Sequence, residues 1–180
     1  MESELCIKTR RSIREFKNDK IDHEKLARII ATASYAPSWK NVQPARFIAV
    51  EDEKLKAALA AECFKDWPNN ALIAIDCPLL MVVTLIHGRS GFNRDGTPTT
   101  SKGDRWEMFD AGIATQTLCL AAHDAGIGTV ILGIFDDELV KQIIPLPEGQ
   151  IAAALVAMGY PDVDPAVPKR KTIEELLSYR

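Results

Sequence analysis

The run Pro78-Leu79-Leu80-Met81-Val82-Val83-Thr84-Leu85-Ile86 limits the folds open to this chain more than any other feature. It is about half the length needed to cross a membrane as a helix, and its β-branched, non-alternating character reads as a strand covered on both faces. A strand of that kind requires helices on each side of a sheet. The rest of the chain supplies them. Leu26, Ile29, Ile30 and Ala33 recur at helical spacing, which predicts a helix over 22–34 with Asp22 as N-cap, Ile21 stapled onto Leu26 and Pro37 as the stop. The pattern further predicts a strand over 46–50, an Ala-rich helix over 52–63, and a long helix over 106–125 that is apolar on most faces and stopped by Gly126. Strands over 129–134 and 151–159 follow, with a helix over 136–144 between them. Thr172-Ile173-Glu174-Glu175 is a T-x-x-E capping box that opens a last short helix.

A length of 180 residues with 47% apolar content suits one domain spanning 1–180. Two stretches fall outside the periodic pattern. Residues 87–105 are polar and glycine-rich, too long for an ordinary connection, and are expected to be a lid over a site or a mobile insertion. The segment 162–180 leaves the core through a proline-rich stretch and is expected to dock on a partner subunit.

The remaining composition excludes several classes of function. A net charge of −3 leaves no global footprint for nucleic acid. No apolar stretch reaches membrane-spanning length and Met1–Arg14 is too charged for a signal peptide, so a cytoplasmic protein is expected. The cysteines Cys6, Cys63, Cys77 and Cys119 form no C-x-x-C pair and the three histidines show no H-E-x-x-H spacing, so no metal site is expected. Gly88-Arg89-Ser90-Gly91 is one residue short of a G-x-S-x-G elbow, which argues against a serine hydrolase.

Three segments concentrate polar groups beside apolar ones. Arg10-Arg11-Ser12-Ile13-Arg14 offers fork-shaped guanidinium donors and a hydroxyl, the chemistry of phosphate recognition, with a solvated basic helix end as the plainer reading. Ala36-Pro37-Ser38-Trp39-Lys40-Asn41-Val42-Gln43-Pro44 holds donors and acceptors on backbone stiffened by two prolines, suited to reading the edge of a heteroaromatic ring, or is simply a polar connector. Gly126-Ile127-Gly128 leads from a helix into a strand, the reverse of the order in a dinucleotide-binding turn, so a Rossmann reading fails. Gly133 at that strand's end either admits a flat ligand close to the backbone or only turns the chain.

Taken in order, these segments resemble the FMN-dependent nitroreductase family nearly end to end. Arg10–Phe16 is similar to its R-R-S-x-R-x-F motif and Ala36–Pro44 to its A-P-S-x-x-N-x-Q-P motif. Asp110-Ala111-Gly112 through Gly126-Ile127-Gly128-Thr129 is similar to its central helix and following strand. Gly159-Tyr160-Pro161-Asp162 and Arg170-Lys171…Glu174-Glu175 match its G-Y-P-D and R-K-x-x-E-E signatures. The resemblance implies an α+β fold, a three-layer sandwich whose central, mostly antiparallel sheet is surrounded by helices, in an intertwined homodimer with FMN at two interface sites. It implies that Arg10 and Ser12, with Arg11, Arg170 and Lys169, hold the FMN phosphate, and that Arg14 meets the N1–O2 edge of the ring. Pro37, Ser38 and Trp39 would cover the ring from the other subunit, with Asn41 and Gln43 in the same motif. Asn70, with Asn69 as rival, would contact the ribityl chain or ring edge, and the backbone at Leu132 and Gly133 would face flavin N5. No catalytic side chain is required, because the flavin carries the chemistry.

The implied activity is ping-pong transfer of hydride from NADH or NADPH to a small-molecule electron acceptor such as a nitroaromatic or quinone. Alternatives on the same fold are dehalogenation or flavin fragmentation, and outside catalysis a flavin-binding module or a nucleotide-binding regulator without flavin. Two positions depart from the family pattern: Ala45 follows Pro44 where an aromatic is common, and Leu132 stands where some members have an acidic residue.

Overall fold

A computed structural model describes residues 1–180. Its centre is β2 (Leu79–Ile86), the apolar run itself, flanked by antiparallel β1 (Ala45–Val50) and β4 (Gln150–Gly159), with β3 (Gly128–Leu132) on the outer edge of β4. Every pairing is antiparallel, in the order β1-β2-β4-β3. Register shifts between Val83 and Thr84, where Ala154 and then Ala152 are the partners on β4; the extra residue bends the sheet there.

Alternation along β2 divides the core in two. Leu80 and Val82 face a cluster with Leu59, Phe64, Ala74 and Val140, drawn from α3 (Glu53–Cys63), α4 (Pro68–Asp76) and α6 (Asp137–Ile143) and the turn after α3. Leu79, Met81 and Val83 face Leu26, Ile29, Leu118 and Ala122 on α2 (His23–Ala33) and α5 (Arg105–Asp124). The expected three-layer α+β architecture with an antiparallel centre is therefore what the chain adopts.

Local capping explains the boundaries. Asp22, Asp52 and Asp136 accept hydrogen bonds from Lys25, Leu55 and Leu139 backbone N–H groups at 2.9, 2.9 and 3.0 Å, starting α2, α3 and α6. Both halves of the Thr172/Glu175 capping box are present at α7 (Ile173–Leu176). Two helices escape periodicity. α1 (Ser3–Thr9) is about two turns long with only Cys6 buried. α4 begins with Pro68 at its first turn inside Asp66-Trp67-Pro68-Asn69-Asn70, a sequence that reads as a turn, and its far end is closed from outside: the buried Lys56 ammonium donates to the Ile75 and Cys77 carbonyls at 3.2 and 2.5 Å.

All four cysteines are buried free thiols. Burial pushes the Cys63 and Cys77 thiols up to about 11, which makes them inert packing groups. No helix is long and apolar enough to cross a membrane, and no metal-ligating cluster is present.

Candidate functional site

The N-terminal arginine segment is fixed as an extra thread beside the sheet. Ile13 N–H donates to the Thr129 carbonyl at 3.0 Å, Ser12 bridges Thr129 in parallel fashion, and Lys17 N–H and the Asp162 N–H tie 15–17 to 160–162 at 2.9 and 3.1 Å. Gly128 makes this approach possible, since a Cβ there would stand 2.7 Å from the Ile13 side chain.

Arg10, Arg11, Ser12 and Arg14 consequently line one cavity of about 420 Å³, closed from the other side by Pro165, Pro168 and Arg170 of the tail. Lys169 stands next to this cavity in the exposed tail and does not line it. The arginines differ in freedom. Arg11 spends Nη1 on the Lys8 and Arg10 carbonyls at 2.7 and 2.8 Å, capping α1, whereas Arg14 makes one long bond of 3.3 Å to the Ser12 carbonyl. Arg14 also lines a second, larger cavity with Phe16, Lys56 and Asp162.

Sequence reasoning missed the group behind these arginines. Thr9 Oγ1 lies 2.8 Å from His123 Nε2 at the C-terminal end of α5. Burial, then Arg10 and Arg11, hold the His123 imidazolium below the ordinary range, with Asp124 opposing. A histidine whose folded pKa is depressed binds its proton more readily when unfolded, so its contribution to stability is complete above about 6.5, the unfolded value, and is lost as pH falls from there toward the folded value. Thermal melts should show stability dropping below about pH 6.5, with a shallower drop in His123→Gln; equal slopes in the two proteins would exclude this source.

The second motif lies elsewhere. Pro37, Ser38 and Gln43 line a small cleft of about 80 Å³ with Phe47 and Asp110. Asp110, buried in the second turn of α5, accepts from the Trp39 backbone N–H at 2.8 Å and from Ser90 Oγ at 2.6 Å. One turn earlier, buried Glu107 accepts from Gly88 N–H at 2.6 Å and pairs with His87 Nδ1 at 2.9 Å. These two carboxylates moor the 36–44 loop and the start of segment 87–105 to one helix. Asp110 was visible in the sequence only as the first residue of the central-helix resemblance, and Glu107 only as an acidic residue three positions before it.

The mooring is strained. Lys40, Asn41 and Gln43 have φ of 45°, 56° and 46°, left-handed values rare for residues with a side chain, and such strain concentrates at functional sites. The Gln43 N–H closes the turn on Ser38 Oγ at 2.9 Å. Trp39 stacks against Trp106 with centroids 5.0 Å apart, and its indole N–H is buried without an acceptor in the chain. Asn41 is exposed.

The other expected contacts divide similarly. Leu132 sends its side chain into the core, leaving only backbone for a ligand, and Gly133 beyond it is exposed with open space around it. Asn70 is half-buried in the first turn of α4 and Asn69 is exposed; neither lines the arginine cavity.

Within one chain, the arginine cavity and the Trp39 loop are not brought together. They attach to α5 at His123 and Asp110, thirteen residues or about 20 Å apart along the helix.

The family model described as Nitroreductase family matches residues 7–160. A protein of Archaeoglobus fulgidus, provisionally designated NADH dehydrogenase/NAD(P)H nitroreductase, is 34% identical over 88% of this chain and 86% of its own. A nitroreductase family protein of Clostridium novyi NT has a crystal structure that superposes with a TM-score of 0.76 at 30% identity, covering 90% of this chain and 86% of that one. The NADPH:FMN oxidoreductase of Vibrio harveyi, solved with NAD+, shares the fold at a TM-score of 0.81 and 23% identity over 98% of this chain and 76% of that one.

Proposed function

The chain belongs to the nitroreductase family, and from that premise we propose that it is an FMN-dependent oxidoreductase that works as a homodimer. Its overall reaction passes a hydride from NADH or NADPH, with one proton, to an electron-poor acceptor: a nitroaromatic gives the nitroso compound and water, a quinone gives the hydroquinone. The observation that carries this reading is the cavity in which Arg10, Ser12 and Arg14 meet Arg170 from the opposite end of the chain. Guanidinium forks plus a hydroxyl, without a carboxylate in the lining, are the donor set a phosphate monoester needs.

FMN, when bound, supplies the centre that accepts a hydride and releases it to a second substrate. The residues of the chain bind and orient it. Arg10, Ser12 and Arg170 hold the phosphate, with Lys169 adjoining and Arg11 shaping the cavity by capping α1. Arg14 is assigned to the N1–O2 edge, where a fixed positive charge favours the reduced state, and the Gly133 backbone to N5, where open space lets a flat ring approach. Pro37, Ser38, Trp39, Asn41 and Gln43 cover the ring from the partner chain, and Asn70 contacts its edge or the ribityl chain. This division between two chains draws on the separation within one: the arginine cavity and the Trp39 loop attach to α5 about 20 Å apart along the helix. Residues 87–105 act as the lid, and 162–180, whose Pro165–Arg170 stretch first closes the arginine cavity of its own chain, continues as the arm that reaches the partner.

The test is an absorbance spectrum of the purified protein followed by anaerobic titration with NADH and NADPH. Flavin bands that bleach on titration are expected, and the nicotinamide that bleaches them at lower concentration is the donor. A colourless protein that takes up no added FMN overturns the reading.

A further inference from the structure

We infer that the Trp39–Trp106 pair, with Lys40 and Lys102 over its rings, seats the oxidised substrate and selects planar aromatic acceptors that carry an anionic group. The inference rests on the function proposed above and adds the charge of the substrate.

The two indoles lie 5.0 Å apart at 48°, and Phe109 continues the wall edge-on at 5.4 Å from Trp106. Lys40 Nζ stands 5.6 Å from the Trp39 ring centroid and Lys102 Nζ 4.7 Å from that of Trp106. Both lysines are exposed, and neither is among the ion pairs of the chain. Each cation is thus held over a π face and keeps its charge available.

The surroundings keep the field positive. Residues 87–105 contain Arg89, Arg94, Lys102 and Arg105 against Asp95 and Asp104, a local +2 in a chain whose total is −3. Asp95 is engaged by Thr97 at 2.6 Å. With Lys40 counted alongside this segment and the buried Glu107 and Asp110 beneath the wall set against it, the formal charge around the indoles is still +1. Lys40 itself sits at φ 45°, a left-handed value that glycine would adopt without strain. A flat aromatic can stack on one indole with the other at its edge while its carboxylate or sulfonate meets the ammoniums, and a neutral one gains only the aromatic contact.

The experiment compares 4-nitrobenzoate with its neutral methyl ester in the flavin-loaded protein. Steady-state kcat/KM and binding isotherms would be measured for the parent, for Lys40→Ala/Lys102→Ala, and for Lys54→Ala/Lys141→Ala, which removes two charges on the opposite helical layer. Ratios between variants cancel the differing intrinsic reducibility of the two acceptors. The anion-to-ester ratio should fall about tenfold in the first double variant, with most of the change in the 4-nitrobenzoate isotherm and KM, and stay at the parent value in the second. A ratio equal in all three proteins, with both acceptors reduced, overturns the charge selection and leaves the oxidoreductase standing. Failure of both acceptors to reoxidise a nicotinamide-reduced flavin, or absence of flavin altogether, removes the underlying reading and this one with it.

Discussion

Arg10→Ala and Arg14→Ala should each weaken FMN binding by about 1.5–3 kcal/mol, roughly ten- to a hundredfold, with the fold intact. That is the range for hydrogen bonds to charged groups. Arg10 lines the cavity, and Arg14 has only one long contact within the chain, so the ligand would be the main partner each variant loses. Arg11→Ala should behave differently: its guanidinium already closes the C-terminal end of α1 through two carbonyls, so part of its loss falls on α1 and the thread that follows. Flavin fluorescence titration of each variant, with circular dichroism as the fold control, distinguishes the two patterns. Unchanged FMN affinity in both Arg10→Ala and Arg14→Ala would refute the assignment of this cavity.

The second large effect is on stability. Leu80→Ala should cost about 2–5 kcal/mol, the usual range for a fully buried leucine whose cavity cannot collapse. Leu80 is completely buried on β2, between Val50 on β1 and Ala157 on β4, and its side chain packs into the cluster shared with α3, α4 and α6. Both neighbouring strands are held by ladder hydrogen bonds, which limits relaxation around the void. Urea unfolding followed by tryptophan fluorescence measures the change. A loss under 1 kcal/mol would mean that this face of β2 is not covered as described.

The fold was legible because its decisive strand carries no polar side chain beyond Thr84, and only a sheet with two helical layers hides such a strand. Helices capped by aspartate were equally plain, since Asp22, Asp52 and Asp136 each stand one residue before an apolar pattern. α1 and α4 were not, for opposite reasons: α1 buries too little to leave a period, and α4 is stabilised by a lysine from another helix, a long-range contact that no local window contains. The same distinction holds at the site. The arginines and the proline-bracketed loop stand out by residue type, whereas Glu107, Asp110 and His123 matter through partners 19 to 114 residues away. Those partners emerge only when the chain is folded.

The 20 Å along α5 between the arginine cavity and the Trp39 loop has a genetic consequence. In the proposed dimer each chain contributes one half to each of two sites, so a lesion in the arginines and a lesion in the loop, carried on different chains, sort unevenly when those chains pair. One site of the mixed dimer receives both lesions and the other receives neither. Two defective alleles can therefore complement each other within a single molecule, restoring an activity that neither gene product has alone.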